Sequence, residues 1–353
     1  MTLGDLGASV IKVERPGQGD ETREWGPPFD DRGASAYYLS VNRNKLGVAL
    51  DLDSERDRRV LLDLVGRADA VLDNFRRGTL ERRGIPVGDL LARHERLVWC
   101  TLTGFGADSF RPGYDFVVQA ESGWMAITGE PEGEPMKVGV ALADVVAGKD
   151  AAIAVAAALA RRGPPVPATE RRLFVSLQHS AVASLVNVAQ NALVSGGEAR
   201  RWGNGHANLV PYQLFRAADR QFVIAVGNDG QWRACVRALE LFELLEDQTV
   251  AANPGRLAAR ERVVGAIAAR VRERPAAEWI ARLERAGVPC GVVRSVREAL
   301  GDVDASPVTG VAPAVPGSSV RLPPPGLGEH DALVREHGWG AFEHVREIAP
   351  REG

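Results

Sequence analysis

Strand-like and helix-like segments alternate through the first third of the chain, and this alternation constrains the fold more than any other feature. Residues 46–52, 69–73 and 97–103 are short apolar runs typical of buried strands. Between them, residues 54–67 and 79–93 carry apolar side chains at helical spacing. Helices of about a dozen residues between strands indicate βαβ units, so the sequence predicts a parallel sheet in an α/β fold.

The pattern changes after about residue 195, where the chain becomes irregular and rich in Gly and Asn. A chain of 353 residues that is 45% hydrophobic is long for one unit, so we expect two domains, with the smaller one in the second half. The first half further predicts helices at 115–127, 145–162 and 180–194, a strand at 171–178, and loops at 104–114 and 163–170. The second half predicts strands at 221–226 and 287–293 and helices at about 230–245 and 256–272.

Composition and charge exclude several classes of protein. The formal net charge is only -3, whereas nucleic-acid binders usually carry a basic excess or stripe. Cys100, Cys235 and Cys290 match no metal-ligand spacing, so we expect a reduced, cytoplasmic protein without a metal. The most apolar run, 145–160, includes charged residues and is too short for a membrane span. Charged residues near the N-terminus argue against a signal peptide.

The first residues resemble the end of a helix, and a strand follows at 7–14. A parallel α/β domain rarely opens on a helix fragment, so we expect the first strand of the sheet to be missing through a truncated or mis-assigned start. Its loss would remove a row of backbone hydrogen bonds and threaten folding or activity.

The strongest local feature is the segment VGVALADVVAG, in which Asp144 follows small apolar residues and opens an apolar helix. Spacing alone favours a helix N-cap, where the carboxylate accepts backbone N–H groups. The same position suits a nucleophile, because a helix N-terminus stabilises an anion and should keep the carboxylate ionised. Small neighbours would also let an acyl group approach. The local pattern leaves both interpretations open.

Three further segments carry groups that suit a nucleotide-like ligand, although each is also compatible with an ordinary loop. Residues 73–82 follow a strand end, where open α/β sheets bind ligands, and combine an amide, an aromatic ring and arginines. Residues 11–20 place Arg15 and two glycines after a strand, a composition that accepts phosphate. Residues 111–120 contain a Pro-Gly turn followed by Tyr114 and a helix.

The sequences of these motifs and their order along the chain, taken together, are more specific for a protein family than any single motif. From about residue 5 to 335, the chain contains in collinear order IKVERPGQGD, SVNRNK, DNFRRGTLERRG, TGFG, RPGYDFVVQAESG, TGEPEGEPMKVGVALADVVAG, WGNGHANLVPYQLF and AGVPCG. Together they resemble the family III coenzyme A transferases of the CaiB/BaiF type, which include formyl-CoA and carnitine CoA-transferases. The segment RRWGNGHANLVPYQLF most resembles the branch that acts on succinyl-CoA and dicarboxylic acids such as glutarate.

The resemblance implies a role for each motif residue. Asp144 matches the family's nucleophilic aspartate, which attacks an acyl-CoA thioester to give a mixed anhydride and then an aspartyl-CoA thioester. Backbone N–H groups of a glycine-containing loop, Gly203 to Gly205, would stabilise the oxyanion. Contacts with CoA, in which arginines pair with phosphates, carry over to Arg15, Asn74, Phe75 and Arg82. CoA enters as a substrate together with a carboxylic acid, and no permanently bound cofactor or metal is expected.

Two alternatives to the transferase remain. The family includes α-methylacyl-CoA racemases, in which a histidine precedes the aspartate of the GYD-like motif and exchanges the α-proton. This chain has Tyr114 at that position, and a phenol, with an ordinary pKa of about 10, is a poor base at neutral pH. Transfer is therefore favoured, and we interpret Tyr114 and His206 as substrate-pocket residues. The second alternative is an inactive, N-terminally truncated homologue that only binds CoA.

The family fold implies an α/β protein with a Rossmann-like large domain built from both chain ends. On that basis, residues 1–195 and 290–353 form the large CoA-binding domain, and residues 196–289 form a smaller inserted α+β domain. The resemblance also implies an interlocked homodimer, in the cytoplasm, that contacts neither nucleic acid nor membrane. Residues 163–170 replace the family's usual Gly-Arg-Gly segment, a change that a surface loop should tolerate.

Overall fold

The computed structural model describes residues 1–161 and 166–345, and the chain divides into two units. The first contains Met1–Trp124, Val138–Gln190 and the chain from Leu300 onward, and the second contains Met125–Lys137 and Asn191–Ala299. These units differ from the predicted domains at their edges. Residues 290–299, for example, lie in the second unit, where Cys290–Val292 pairs with a neighbouring strand. Residues 162–165 of the predicted 145–162 helix and 163–170 loop, and the end of the predicted large domain at 346–353, lie outside the described residues.

The strands of the α/β part pair in parallel, as the alternation predicted. In chain order the described strands are β1 (Ile11–Glu14), β2 (Leu46–Ala49), β3 (Ala70–Asp73), β4 (Val98–Thr103), β5 (Arg172–Ser176), β6 (Tyr212–Arg216), β7 (Gln221–Ala225), β8 (Cys290–Val292), β9 (Ala305–Ser306) and β10 (Gly310–Val311). β1 pairs with β2, and β4 lies between β3 and β5. Among the described residues these are two separate parallel sheets. β9 and β10 form a short antiparallel pair.

Most of the helices are shorter than predicted and they are more numerous, whereas the helix predicted at 145–162 begins earlier, at Leu142. The α-helices are α1 (Thr2–Asp5), α2 (Ala36–Asn42), α3 (Glu55–Val65), α4 (Thr79–Arg82), α5 (Val87–Arg93), α6 (Asp115–Glu121), α7 (Trp124–Ile127), α8 (Leu142–Ala160), α9 (Ala168–Arg171), α10 (Leu177–Ala183), α11 (Val186–Ser195), α12 (Asp229–Ala238), α13 (Phe242–Glu246), α14 (Asn253–Ala258), α15 (Arg260–Val271), α16 (Ala276–Arg285), α17 (Val296–Leu300) and α18 (Asp331–His337). Short 3₁₀ helices cover Glu21–Glu24, Gln248–Val250 and Gly338–His344.

Several predicted helices are broken in two, and the breaks have local causes. The helix predicted at 79–93 becomes α4 and α5, because Gly84 adopts a φ of 74° and Pro86 cannot continue a helix. The helix predicted at 115–127 becomes α6 and α7, because Gly123 has a φ of 87°. The predicted helix end before the first strand is present as α1.

A stripe of small residues fixes how α8 packs. Ala143, Ala147, Ala151 and Val155 recur every fourth residue and are buried, so they line one side of the helix. The first two pack in a cluster that includes residues of α6 and α10, and the last two pack against β4. Successive helix residues are about 100° apart. Asp144, which follows Ala143, therefore lies at the border of the buried stripe.

The second unit is built on an antiparallel sheet of β6, β7 and β8 with helices against it. Phe222, Trp232 and Trp279 are buried in its core. β6 lies in the stretch that we predicted to be irregular. Phe215 is its single buried residue, so alternation along the strand is weak, and pairing with β7 supplies the order that the local sequence lacks.

Residues 1–161 and 166–345 contain neither a helix suited to cross a membrane nor a side-chain cluster suited to a metal ion. No helix in this part of the chain is long and apolar enough to cross a membrane. Within the same residues, no group of three or more His, Cys, Asp or Glu side chains is arranged to hold a metal ion.

Candidate active site

Asp144 is the third residue of α8, and the side chain that caps this helix comes from a different helix. The N-cap residue is Ala141, whose side chain makes no cap hydrogen bond. Oδ1 of Asp115, the first residue of α6, instead accepts the N–H of Ala143 at 2.8 Å and that of Asp144 at 3.4 Å. The N-cap interpretation of Asp144 is therefore wrong, because Asp144 lies within the first turn and Asp115 does the capping.

Asp115 is held by Gln119, one turn further along α6. Nε2 of Gln119 donates to Oδ2 of Asp115 at 2.7 Å and to the carbonyl of Val140 at 3.3 Å. Its Oε1 accepts the N–H of Val138 at 2.8 Å. Gln119 is fully buried, where polar groups require partners. These bonds join α6 to the segment that leads into α8.

The carboxylate of Asp144 has an unusual electrostatic environment. Burial first, and the neighbouring charge of Asp115 second, raise its pKa to about 6 from an ordinary value of 3.8. This is opposite to the effect of a helix N-terminus alone, which favours the ionised form. The residue as a whole is still exposed, so its carboxyl group combines partial loss of water with access for a ligand.

Within the described part of the chain, Asp144 has no compensating cation. Across residues 1–161 and 166–345, no group donates a hydrogen bond to its side chain or forms an ion pair with it. Tyr37 of α2 lies close enough for its pKa to be raised by burial and then by the charges of Asp144 and Asp115. Trp25 packs edge-on against Tyr37, with ring centroids 5.0 Å apart. A reactive group of a ligand could therefore meet a carboxylate that has the Tyr37 phenol in its vicinity.

A pair of glycines positions the start of α6. A Cβ on Gly104, just after β4, would lie 2.5 Å from Cα of Gly113, and one on Gly113 would lie 2.3 Å from Cα of Gly104. Contacts this short are not tolerated between real Cβ and backbone atoms, so the close approach requires glycine at both positions. Tyr114 follows at the N-cap of α6 and is 59% exposed, which leaves its ring open to a ligand.

Of the predicted CoA-binding residues, Arg82 is the last residue of α4, and Asn74 and Phe75 directly follow β3. Asp73 organises this turn, since Oδ1 accepts the N–H of Phe75 at 2.9 Å and Oδ2 accepts the indole N–H of Trp99 at 2.6 Å. All three predicted residues are exposed, and Arg82 donates to Thr79 Oγ1 at 3.1 Å. Arg15 is also exposed but follows β1, in the other parallel sheet.

The predicted oxyanion loop belongs to the second unit and is held by local bonds. Gly203 has a φ of 55°, a conformation that favours glycine. The N–H of Gly205 is donated to the carbonyl of Trp202 at 2.9 Å, so this group could serve an oxyanion only after that bond opens. Nδ1 of His206 accepts the N–H of Asn208 at 3.0 Å, and its ring lies 5.1 Å from that of Tyr212.

Sequence reasoning missed three groups around Asp144, namely Tyr37, Asp115 and Gln119. Asp115 and Gln119 are four residues apart in the RPGYDFVVQAESG motif, so a hydrogen bond between them was foreseeable. Their contacts with residues 138–144 were not, because the bonded residues are 19 to 29 positions apart in sequence. Tyr37 carries no sequence signal that would link it to Asp144.

The chain is similar to known proteins in both sequence and fold. The family described as CoA-transferase family III matches residues 1–330. The succinyl-CoA:glutarate CoA-transferase of Mus musculus is 37% identical over 94% of this chain and 80% of its own length. The succinate–glutarate CoA-transferase of Agrobacterium fabrum is 35% identical over 94% of this chain and 89% of its own length.

Solved structures show the same relationship. A CaiB/BaiF family protein from Brucella suis superposes with a TM-score of 0.81 at 36% identity, covering 95% of this chain and 93% of that one. The Rv3272 protein of Mycobacterium tuberculosis superposes with a TM-score of 0.78 at 29% identity, covering 94% of this chain and 92% of that one. The family match over most of the chain, the relatives and the shared fold establish that this chain is a member of CoA-transferase family III.

Proposed function

We propose that this CoA-transferase moves CoA from succinyl-CoA to a dicarboxylic acid, with the Asp144 carboxylate as its covalent nucleophile. The choice of donor and acceptor is supported by the names of the mouse and Agrobacterium relatives. The observation that carries the nucleophile is the environment of Asp144, an exposed carboxylate with a pKa raised to about 6 and no cationic partner in the described residues.

A pKa near 6 suits this chemistry in two ways, through the ionised fraction of the carboxylate and through its basicity. At pH 7 roughly nine-tenths of such a group is ionised, so the nucleophile is available. A carboxylate that holds its proton more tightly is also a stronger base and hence a better nucleophile than an ordinary one. Partial burial removes some of the water that would otherwise have to leave before attack.

In the proposed reaction, a carboxylate oxygen of Asp144 attacks the thioester carbon, the C–S bond breaks, and CoA leaves as a thiolate. The thiolate then attacks the aspartyl carbon of the resulting anhydride. This step releases the donor acid as its carboxylate and leaves an aspartyl-CoA thioester. The acceptor carboxylate attacks this thioester, and the thiolate released in that step attacks the acceptor's acyl carbon. Asp144 is restored, and no net proton or electron is consumed.

The remaining site residues have supporting roles in this proposal. The guanidinium groups of Arg15 and Arg82 would pair with CoA phosphates, while Asn74 and Phe75 would contact its adenine or pantetheine part. Gly203 and Gly205 would supply N–H groups to the oxyanion, after the Gly205 bond to Trp202 opens. Tyr114 and His206 would line the acyl pocket. CoA enters and leaves as a substrate, and the proposed steps use no other cofactor.

We also propose that the enzyme is a cytoplasmic homodimer, with the chain ends in a large domain and a smaller domain inserted between them. α11 supports the dimer, since none of its residues is buried although most are apolar. Val186, Leu193 and Val194 are 70%, 79% and 78% exposed, and a second copy would cover them. Cys100, Cys235 and Cys290 form no disulfide, which fits a reducing compartment.

Replacing Asp144 by Asn tests the proposed function. We expect CoA transfer from succinyl-CoA to glutarate to fall at least about 10³-fold, because the amide cannot form the anhydride. Asp150→Asn, the same change six residues further along α8, is the matched control and should keep activity. The same assay with a panel of mono- and dicarboxylic acids identifies the acceptor. Full transfer by Asp144→Asn would contradict the proposal.

A further inference from the structure

The start of α8 depends on a side chain outside that helix. The first N–H groups of any helix lack partners within it, and a polar side chain at the N-cap usually supplies one. Ala141 occupies that position here and makes no such bond. The Asp115 carboxylate takes this role from α6, through its bonds to Ala143 and Asp144.

The capping carboxylate is itself rigidly placed. Gln119 bonds the other oxygen of Asp115, and its remaining bonds go to the backbone of Val138 and Val140. Gln119 is fully buried, so losing any of these bonds would leave a buried polar atom without a partner. Asp115 and Gln119 therefore act as one clamp, here called the α6 clamp, on the segment 138–144.

We propose that Asp115 is a positioning residue for the reaction, and that the α6 clamp holds the Asp144 side chain where it can attack the thioester. The proposal rests on the proposed function of Asp144. Misplacement of a reacting group by about 1 Å costs about 10²-fold in rate. Because the clamp binds the backbone N–H of Asp144 itself, it limits displacement of the nucleophile and so maintains the reaction rate.

The α6 clamp also contributes to the basicity of the nucleophile, after burial. Among the elements packed around the start of α8, Asp115 is the charged group that acts on Asp144. Its negative charge opposes ionisation of Asp144, and burial opposes it more strongly. Tyr37 faces both carboxylates from α2 as an uncharged phenol. Removing the charge of Asp115 should therefore lower the pKa of Asp144 and extend activity to lower pH.

Two variants separate the positioning and electrostatic effects. Asp115→Asn removes the charge and the bond from Gln119 Nε2 to Oδ2, but its amide oxygen can still accept the Ala143 N–H, and Gln119 Nε2 keeps its bond to the carbonyl of Val140. Its acid limb of kcat/KM, expected near pH 6 in the unaltered enzyme, should move to lower pH, and its kcat at pH 8 should fall less than that of Asp115→Ala. Asp115→Ala removes the cap as well, and its kcat should fall about 10- to 100-fold, with the KM for succinyl-CoA changed less than about threefold.

A cap in the second unit provides the matched control. Asn228 caps α12 by accepting the N–H of Gln231 at 2.9 Å, and Asn228→Ala removes an equivalent cap away from Asp144. Thermal unfolding gives the folded fraction of each variant, and activities are expressed per folded molecule. If Asp115→Ala and Asp115→Asn match Asn228→Ala in kcat and in pH profile, the positioning role is overturned. If Asp144→Asn retains activity, the proposed function fails instead, so the two failures are distinguishable.

Discussion

The first unit contains two clusters of carboxylates whose environments are opposite. At the end of β1, Glu14 accepts Nε and Nη2 of Arg23, both at 2.8 Å, and Asp20 accepts Nζ of Lys12 at 2.6 Å. Burial alone would raise the pKa of each acid, but the hydrogen bonds and charges of Arg23 and Lys12 outweigh it. The pKa of Asp20 falls to about 2, and that of Glu14 is also lowered.

At the start of α8 the same two ingredients, burial and a neighbouring charge, act in one direction. Asp144 has Asp115 beside it instead of a cation, and both burial and Asp115 raise its pKa. The cluster at β1 is therefore satisfied in its ionised form, as in a structural ion pair. In the cluster at α8, burial and the charge of Asp115 both disfavour the ionised form of Asp144, and perturbed groups of this kind are frequent at reactive sites. The partners of a carboxylate, rather than its presence, distinguish the two roles.

The largest expected effect on stability comes from breaking the cluster at β1. Arg23→Met leaves Glu14, which is only 5% exposed, without its cation. We expect the free energy of unfolding to fall by about 3–5 kcal/mol, as when one partner of a buried ion pair is removed. Denaturant unfolding at pH 7 measures this. The double variant Arg23→Met/Glu14→Gln should recover part of the loss, and a loss no smaller than in the single variant would show that the pair is not coupled.

A smaller and opposite effect is expected at α8. The folded pKa of Asp144 is raised to about 6, so the stability this group contributes is greatest below about pH 4 and is lost as pH rises through 6. Asp144→Asn should therefore unfold at a higher temperature than the unaltered protein at pH 8, and at about the same temperature at pH 4. After allowance for solvent screening of an exposed group, the gain is about 1 kcal/mol. A loss of stability at pH 8 would mean that Asp144 is a satisfied structural carboxylate, like Glu14.

The sequence was sufficient for features that depend on local pattern. The alternation of apolar runs predicted the parallel strands β2 to β5, and the motifs identified the family. Helix breaks were missed, although Gly84 and Pro86 mark one of them, because apolar periodicity continued across the break. β6 was missed because its order comes from pairing with β7.

The candidate site shows why the remainder was out of reach. A helix cap is normally inferred from residues next to the helix, and that rule suggested Asp144 itself. The actual cap, Asp115, lies 28 positions away from its partner Ala143 and reaches it only in the folded chain. The raised pKa of Asp144 follows first from burial and second from the charge of Asp115, and both arise only in the folded chain.

Trapping the covalent intermediate tests the central claim most directly. The protein is incubated with succinyl-CoA, quenched with hydroxylamine and digested with trypsin, and the peptide from Val138 to Lys149 is examined by mass spectrometry. Asp144 is the only Asp or Glu in that peptide, so a modified side chain is assigned without ambiguity. The account predicts a hydroxamate on Asp144 that requires succinyl-CoA and is absent from Asp144→Asn. Turnover of succinyl-CoA without modification of this peptide, or with the adduct on another carboxylate, would contradict it.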